Sequence, residues 1–280
     1  MAFATINFFS KALNRTTTVN VVIPSDKRMK EGLPAPSRGP YKTLYLLHGI
    51  LGNYTDWVNG TRVQKLSDMY NLCVVMPSGD NKFYADSEIS GDMYGKFIGE
   101  ELVQLTRDTF NLSDKREDTF IGGLSMGGFG AITNGLRHPE TFSHICAFSS
   151  ALIKEKILES VDEPGHDFFT RHQYATLFGV ETVEDFVGCE SDYDFLAKRL
   201  AESGEEKPQI YMACGKQDGL FKWNEDFRDL LWDLDYDLIW EEWDGKHDWI
   251  FWDEAIERII MDYLPLDEAA EGISSGNVAR

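Results

Sequence analysis

Residues 119–128 read TFIGGLSMGG, and this stretch decides the architecture. Thr119 to Gly122 form an apolar run of strand length, and the residues from Gly127 to Arg137 have helical spacing. Between them stands Gly123-Leu124-Ser125-Met126-Gly127. A serine held in a sharp strand-to-helix turn needs neighbours without side chains, because Cβ atoms two residues before and after it would collide. Gly123 and Gly127 meet that need, and Gly128 adds a third small residue. The helix that starts here points its first N–H groups at charge developing near the serine oxygen. The five-residue pattern alone recurs by chance; a strand before it and a helix after it make it a nucleophile elbow. Ser125 is therefore the candidate nucleophile.

Outward from this turn the chain alternates. Apolar runs of strand length fall at Thr43–Leu47, Leu72–Met76, His144–Phe148, Gln209–Ala213 and Leu238–Trp243. Helical spacing marks Tyr94–Phe110, Phe221–Leu234 and Trp249–Tyr263. Two opening strands, Thr5–Phe9 and Thr16–Ile23, precede a breaker-rich loop from Pro24 to Pro40. Strands that are apolar throughout and alternate with helices predict an α/β fold with a mostly parallel sheet covered on both faces. The whole chain, 1–280, reads as one domain. One connection breaks the rhythm. Residues 150–206 hold short helical patterns and no clear strand, too long a stretch for a simple crossover. An inserted cap beside the site and a decoration of the sheet edge both fit this segment.

A serine hydroxyl needs a base. Of the histidines, His48 precedes the elbow, His138 and His144 lie beyond the helix that follows it, and His166 and His172 fall in the inserted segment. His247 stands in a Gly-containing loop, Asp244 to Trp249, between the last strand and the last helix. That loop leaves the sheet at the same edge as the elbow, and the order serine, acid, histidine suits this topology. The acid then follows the strand Gln209–Ala213, where Cys214-Gly215-Lys216-Gln217-Asp218-Gly219 supplies Asp218 in a tight loop. Asp248 is adjacent to His247 in sequence and badly placed to face it. The oxyanion N–H groups are expected from Met126, after the nucleophile, and from Ile50 in the loop His48-Gly49-Ile50-Leu51-Gly52. His48 is expected to brace that loop. Leu51, Trp57, Tyr84 and Phe221 are the residues expected around the substrate.

The 280 residues are 42% apolar and 26% charged, as in ordinary globular proteins. A formal net charge of −20 argues against nucleic acid and anionic membrane surfaces as partners. No apolar stretch is long enough to span a bilayer, and the start MAFATINFFSKALNR does not read as a secretory signal, so a cytoplasmic location is expected. Cys73, Cys146 and Cys214 sit in apolar strands and read as core residues. No His, Cys or carboxylate cluster has metal-ligand spacing, so neither metal nor cofactor is expected.

Four blocks together resemble a known family: HGILGN at 48–53 with Trp57, VVMPSGDNKFYAD at 74–86, FIGGLSMGGFGA at 120–131 and GKHDWIFW at 245–252. They are similar to the esterase D-like branch of the α/β-hydrolases, with its S-formylglutathione hydrolases, carbohydrate esterases of family 1 and mycolyltransferases, and most of all to bacterial tributyrin esterases. The resemblance runs from about residue 40 to 264. It implies cofactor-free hydrolysis of short-chain acyl esters, including acetylated or feruloylated sugars. It carries the catalytic roles onto Ser125, Asp218 and His247 and the oxyanion roles onto Ile50 and Met126, and it implies self-association. S-formylglutathione hydrolases have a cysteine soon after the HG element, whereas Leu51, Gly52 and Asn53 hold none. A thioesterase is thus the second expectation, and a non-catalytic binding protein on a hydrolase fold the third.

Overall fold

A computed structural model describes residues 1–27, 38–163, 165 and 167–266. Most of the breaker-rich loop, His166 and the tail beyond Leu266 lie outside the described residues. The strands are β1 (Ala2–Ser10), β2 (Arg15–Ile23), β3 (Lys42–Leu47), β4 (Leu72–Pro77), β5 (Asp86–Ser87), β6 (Asp92–Met93), β7 (Thr119–Leu124), β8 (His144–Phe148), β9 (Gln209–Gly215) and β10 (Leu238–Trp243). Apart from the small ribbon β5–β6, they form an eight-stranded sheet in the order β1-β2-β4-β3-β7-β8-β9-β10. β1 and β2 are antiparallel to each other and β2 to β4, while every later pair is parallel.

Burial follows from position. The edge strand β1 exposes every second residue, as one solvated face requires, whereas β4, β7 and β8 are buried throughout. Successive side chains alternate between two apolar layers. Tyr45, Leu47, Val75 and Ile121 join the layer under the helix Met126–Arg137. Leu44, Leu46, Val74, Phe120 and Phe148 join the layer under Val63–Tyr70 and Trp249–Arg258, which holds Trp57, Phe251 and Ile256. Cys73, Cys146 and Cys214 are buried free thiols, and burial pushes all three well above the usual thiol range.

Two of the expected helices are not regular throughout, and the one over Trp249–Tyr263 ends in a π-turn at Ile259–Tyr263. The helix expected over Tyr94–Phe110 is interrupted by a π-turn at Phe97–Glu101. Glu101 closes that turn and accepts from the Ser10 hydroxyl (2.5 Å) and the N–H groups of Lys11 (2.7 Å) and Ala12 (3.2 Å), ties across the fold that helical spacing does not encode. The long connection from β8 to β9 folds as Lys154–Glu159, Arg171–Phe178, a 3₁₀ turn at Val183–Phe186, and Tyr193–Ser203. A Thr170/Gln173 capping box starts the second helix, and Asp192 caps the last. The buried Asp192 carboxylate also takes the Lys154 ammonium at 2.8 Å, pinning the first helix of the segment to the last. Among the described residues no helix is long and apolar enough to cross a membrane.

Candidate active site

All parallel strands end on one edge, and the loops after β3, β7, β8, β9 and β10 converge there. Ser125 follows β7 directly. Its backbone sits at φ 53°, ψ −117°, a region costly for any residue with a Cβ and held here by its surroundings. The Ser125 N–H donates to the Phe148 carbonyl, and the Ser125 carbonyl accepts from the N–H groups of Phe129 and Ala151. A Cβ on Gly123 would run into the Gly127 carbonyl, and one on Gly127 into the carbonyls of Leu47 and His48. The two glycines thus allow β3, β7 and the helix to close on the serine.

His247 follows β10 in the loop before Trp249–Arg258. Its Nε2 lies 3.1 Å from Ser125 Oγ, and its Nδ1 lies 2.8 Å from Asp218 Oδ2. Asp218 follows β9. Its Oδ1 accepts the Leu220 N–H at 2.8 Å. Burial works to raise this carboxyl, but the bonds from His247 and Leu220 outweigh it and hold the group below the ordinary carboxylate value. The ionised carboxylate can only accept, so Nδ1 carries the proton and Nε2 offers its lone pair to the serine hydroxyl. Asp248 is engaged elsewhere: its Oδ1 accepts the Ile250 and Phe251 N–H groups, both at 3.1 Å, and caps the last helix. The Trp252 ring meets the imidazole edge-on at 4.9 Å and limits its rotation.

Across the serine lies the loop after β3. His48 is buried; its Nε2 accepts the Gly79 N–H at 2.8 Å, so its Nδ1 donates to the Gly49 carbonyl at 2.6 Å. Burial pushes its pKa below the usual imidazole value, which keeps this neutral tautomer. The His48 carbonyl takes the Tyr84 hydroxyl at 3.0 Å. The loop is thus braced from two sides, and Ile50 lines the same cavity as Ser125 and Met126. Met126 opens its helix, so its N–H has no intrahelical acceptor.

The cavity beside Ser125 measures about 480 Å³. None of the four residues expected around the substrate lines it, and each has a physical reason. Leu51 is 72% exposed, its N–H held by Asn81. Trp57 is buried under the other face of the sheet, donating to the Leu47 carbonyl and packed edge-on against Phe148 and Trp249. Tyr84 turns toward His48, and Phe83 takes the cavity instead; two consecutive left-handed residues (φ 51° and 55°) reverse the facing here. Phe221 packs on Trp240, while Leu220 and Trp223, three apart at the start of the same helix, face the cavity. The remaining wall comes from the β8–β9 connection, including Ile153, Lys156, Asp167, Phe169 and Tyr174. Nothing local in the sequence marks these; only the tertiary path of that segment brings them over Ser125.

Residues 10–263 match the model of the Esterase family, described as "Putative esterase". An acetyl esterase of Caldicellulosiruptor saccharolyticus is 41% identical over 256 residues, which cover 91% of this chain and 96% of that protein. Among solved structures, the fluorophosphonate-binding serine hydrolase F of Staphylococcus aureus superposes with a TM-score of 0.80 at 28% identity, covering 94% of this chain and 98% of its own. The S-formylglutathione hydrolase of the same organism gives 0.79 at 28% identity with the same coverage. The sheet order, the elbow and these likenesses make the fold that of the α/β-hydrolases. The chain belongs to the Esterase family and is a carboxylic ester hydrolase.

Proposed function

We propose that the protein is a serine esterase of short-chain acyl esters, acting through Ser125, His247 and Asp218 and a covalent acyl-enzyme. The observation that carries this reading is the continuous chain of contacts from Asp218 Oδ2 through both imidazole nitrogens to Ser125 Oγ. His247 takes the serine proton as Oγ attacks the ester carbonyl, and Asp218 stabilises the imidazolium. The N–H groups of Ile50 and Met126 receive the oxyanion. The imidazolium then protonates the leaving alcohol. Water, activated by the same histidine, releases the acid. The acetyl esterase relative supports acetyl and other small acyl groups. The segment 150–206 acts as a cap, since it furnishes much of the cavity wall.

The likeness to an S-formylglutathione hydrolase favours a second reading, in which the leaving group is a small thiol. The acyl-enzyme step is the same for both, and oxygen- and thiol-ester substrates with one acyl group separate them. The test of the main reading is Ser125→Ala. Hydrolysis of p-nitrophenyl acetate should fall by about 10⁴-fold or more while the fold is retained. A variant that keeps a tenth of the activity would remove Ser125 from its role.

A further inference from the structure

Most of the cavity wall is apolar. Besides Asp218, the charged groups among its described lining residues are Lys156 and Asp167, and acyl transfer uses neither. Lys156 Nζ stands 2.9 Å from Asp167 Oδ1. The Asp167 side chain is 9% exposed and that of Lys156 45%, so the carboxylate lies within the wall and the ammonium end reaches water. Oδ1 also takes the Phe168 N–H at 2.6 Å, while among the described residues Oδ2 has only the Tyr174 hydroxyl at 3.4 Å. One carboxylate oxygen is therefore underused, and an ammonium with three N–H donors spends one on Asp167. Burial works to raise the Asp167 carboxyl; Lys156 and the Phe168 N–H outweigh it and keep it low, so the carboxylate is ionised near neutral pH. A pair with one end in water gains little for stability, because solvent screens the attraction and holding a long side chain in one geometry costs entropy. Its place on the wall of the reaction cavity points to recognition.

We propose that Lys156 and Asp167 are a specificity pair that receives a hydroxyl group of the ester, the hydroxyl donating to Asp167 Oδ2 and accepting from Lys156 Nζ. This rests on the ester-hydrolase reading above and adds a substrate preference to it. A hydroxyl is both donor and acceptor, as the adjacent charges require. A hydrocarbon in its place offers Asp167 Oδ2 no donor, and a carboxylate is repelled by Asp167. Phe168, Phe169 and Trp223 supply apolar surface for the carbon skeleton that carries the hydroxyl. The hydroxyl can belong to the alcohol, as in a polyol ester, or to the acid, as in a hydroxy-acid ester.

The experiment compares matched esters in two arms: glycerol 1-butyrate against propyl butyrate for the alcohol side, and ethyl 3-hydroxybutyrate against ethyl butyrate for the acid side. The wild type should favour the hydroxylated member of one arm by about tenfold or more in kcat/KM, the ordinary worth of hydrogen bonds to charged groups. That arm identifies the source of the hydroxyl. In Lys156→Met/Asp167→Leu the ratio should collapse to within about twofold of unity. Should the double variant not fold, Lys156→Met alone, at the exposed end of the pair, should lower the ratio by about threefold or more. Equal rates within both arms for the wild type, or a preference that survives the variants, would overturn the pair. If the wild type hydrolyses no ester in either arm, the esterase reading falls and the pair with it; hydrolysis without preference removes the pair alone.

Discussion

Replacing Asp218 by asparagine separates charge from shape at the base. In the native site the Asp218 carboxylate accepts from Leu220 N–H at Oδ1 and from His247 Nδ1 at Oδ2, both at 2.8 Å. An asparagine keeps its carbonyl oxygen on the Leu220 N–H and presents its NH₂ to the imidazole. An NH₂ can only donate, so Nδ1 must give up its proton and Nε2 must carry it. That proton then faces Ser125 Oγ across 3.1 Å, and the base has no lone pair to offer. The expected loss is about 10⁴-fold in kcat, the size seen for the wrong tautomer elsewhere, which is about 5 kcal/mol of barrier. Initial rates on p-nitrophenyl acetate measure it, with a melting curve to establish that the variant folds. The carboxyl sits below its ordinary pKa in the folded protein, so it contributes stability above the unfolded-state value that is lost as pH falls through the folded one. The variant should accordingly melt lower than the wild type at neutral pH, with the gap closing in strong acid. A folded Asp218→Asn protein that retains a tenth of wild-type kcat would refute this reasoning and leave the orientation of His247 to other contacts.

Three further outcomes are expected. Asp248→Ala removes the cap of Trp249–Arg258 and should cost about 1 kcal/mol in urea unfolding, far less in activity than Asp218→Asn; a loss of activity as large would make Asp248 the acid. Across p-nitrophenyl acetate, butyrate, octanoate and palmitate, kcat/KM should peak at the short esters, because a cavity of about 480 Å³ has a wall that long chains meet; a rise continuing to palmitate would refute the short-acyl reading. Burial lowers the His144 pKa from 6.5 to about 4, so the unfolded chain protonates first as pH falls; stability should drop between these values by about 3 kcal/mol, and His144→Gln should flatten that slope in urea unfolding, an unchanged slope counting against it.

The sequence alone determined the parallel core and the elbow. Strands such as Leu72–Pro77 and His144–Phe148 are buried on both faces, and that condition writes itself into every residue of the run. Gly123 and Gly127 are equally legible, since backbone packs against the place where a Cβ would stand. Ser125, Asp218 and His247 could be named together because each follows a recognisable strand, and parallel strands deliver their ends to one edge. What only the tertiary structure decided is which side chains surround the serine. Trp57 and Tyr84 belong to sequence blocks that reach the catalytic edge, yet one packs beneath the sheet and the other braces the His48 carbonyl. The turn at Phe83 and Tyr84 swaps two facings by backbone angles that no periodicity announces. Lys156, Asp167 and Phe169 belong to a connection without strands, whose course is set by long-range ties such as Lys154 to Asp192. Local spacing encodes the facing of a residue within its own element; where two elements meet depends on contacts dozens of residues apart, and the cavity is made of such meetings.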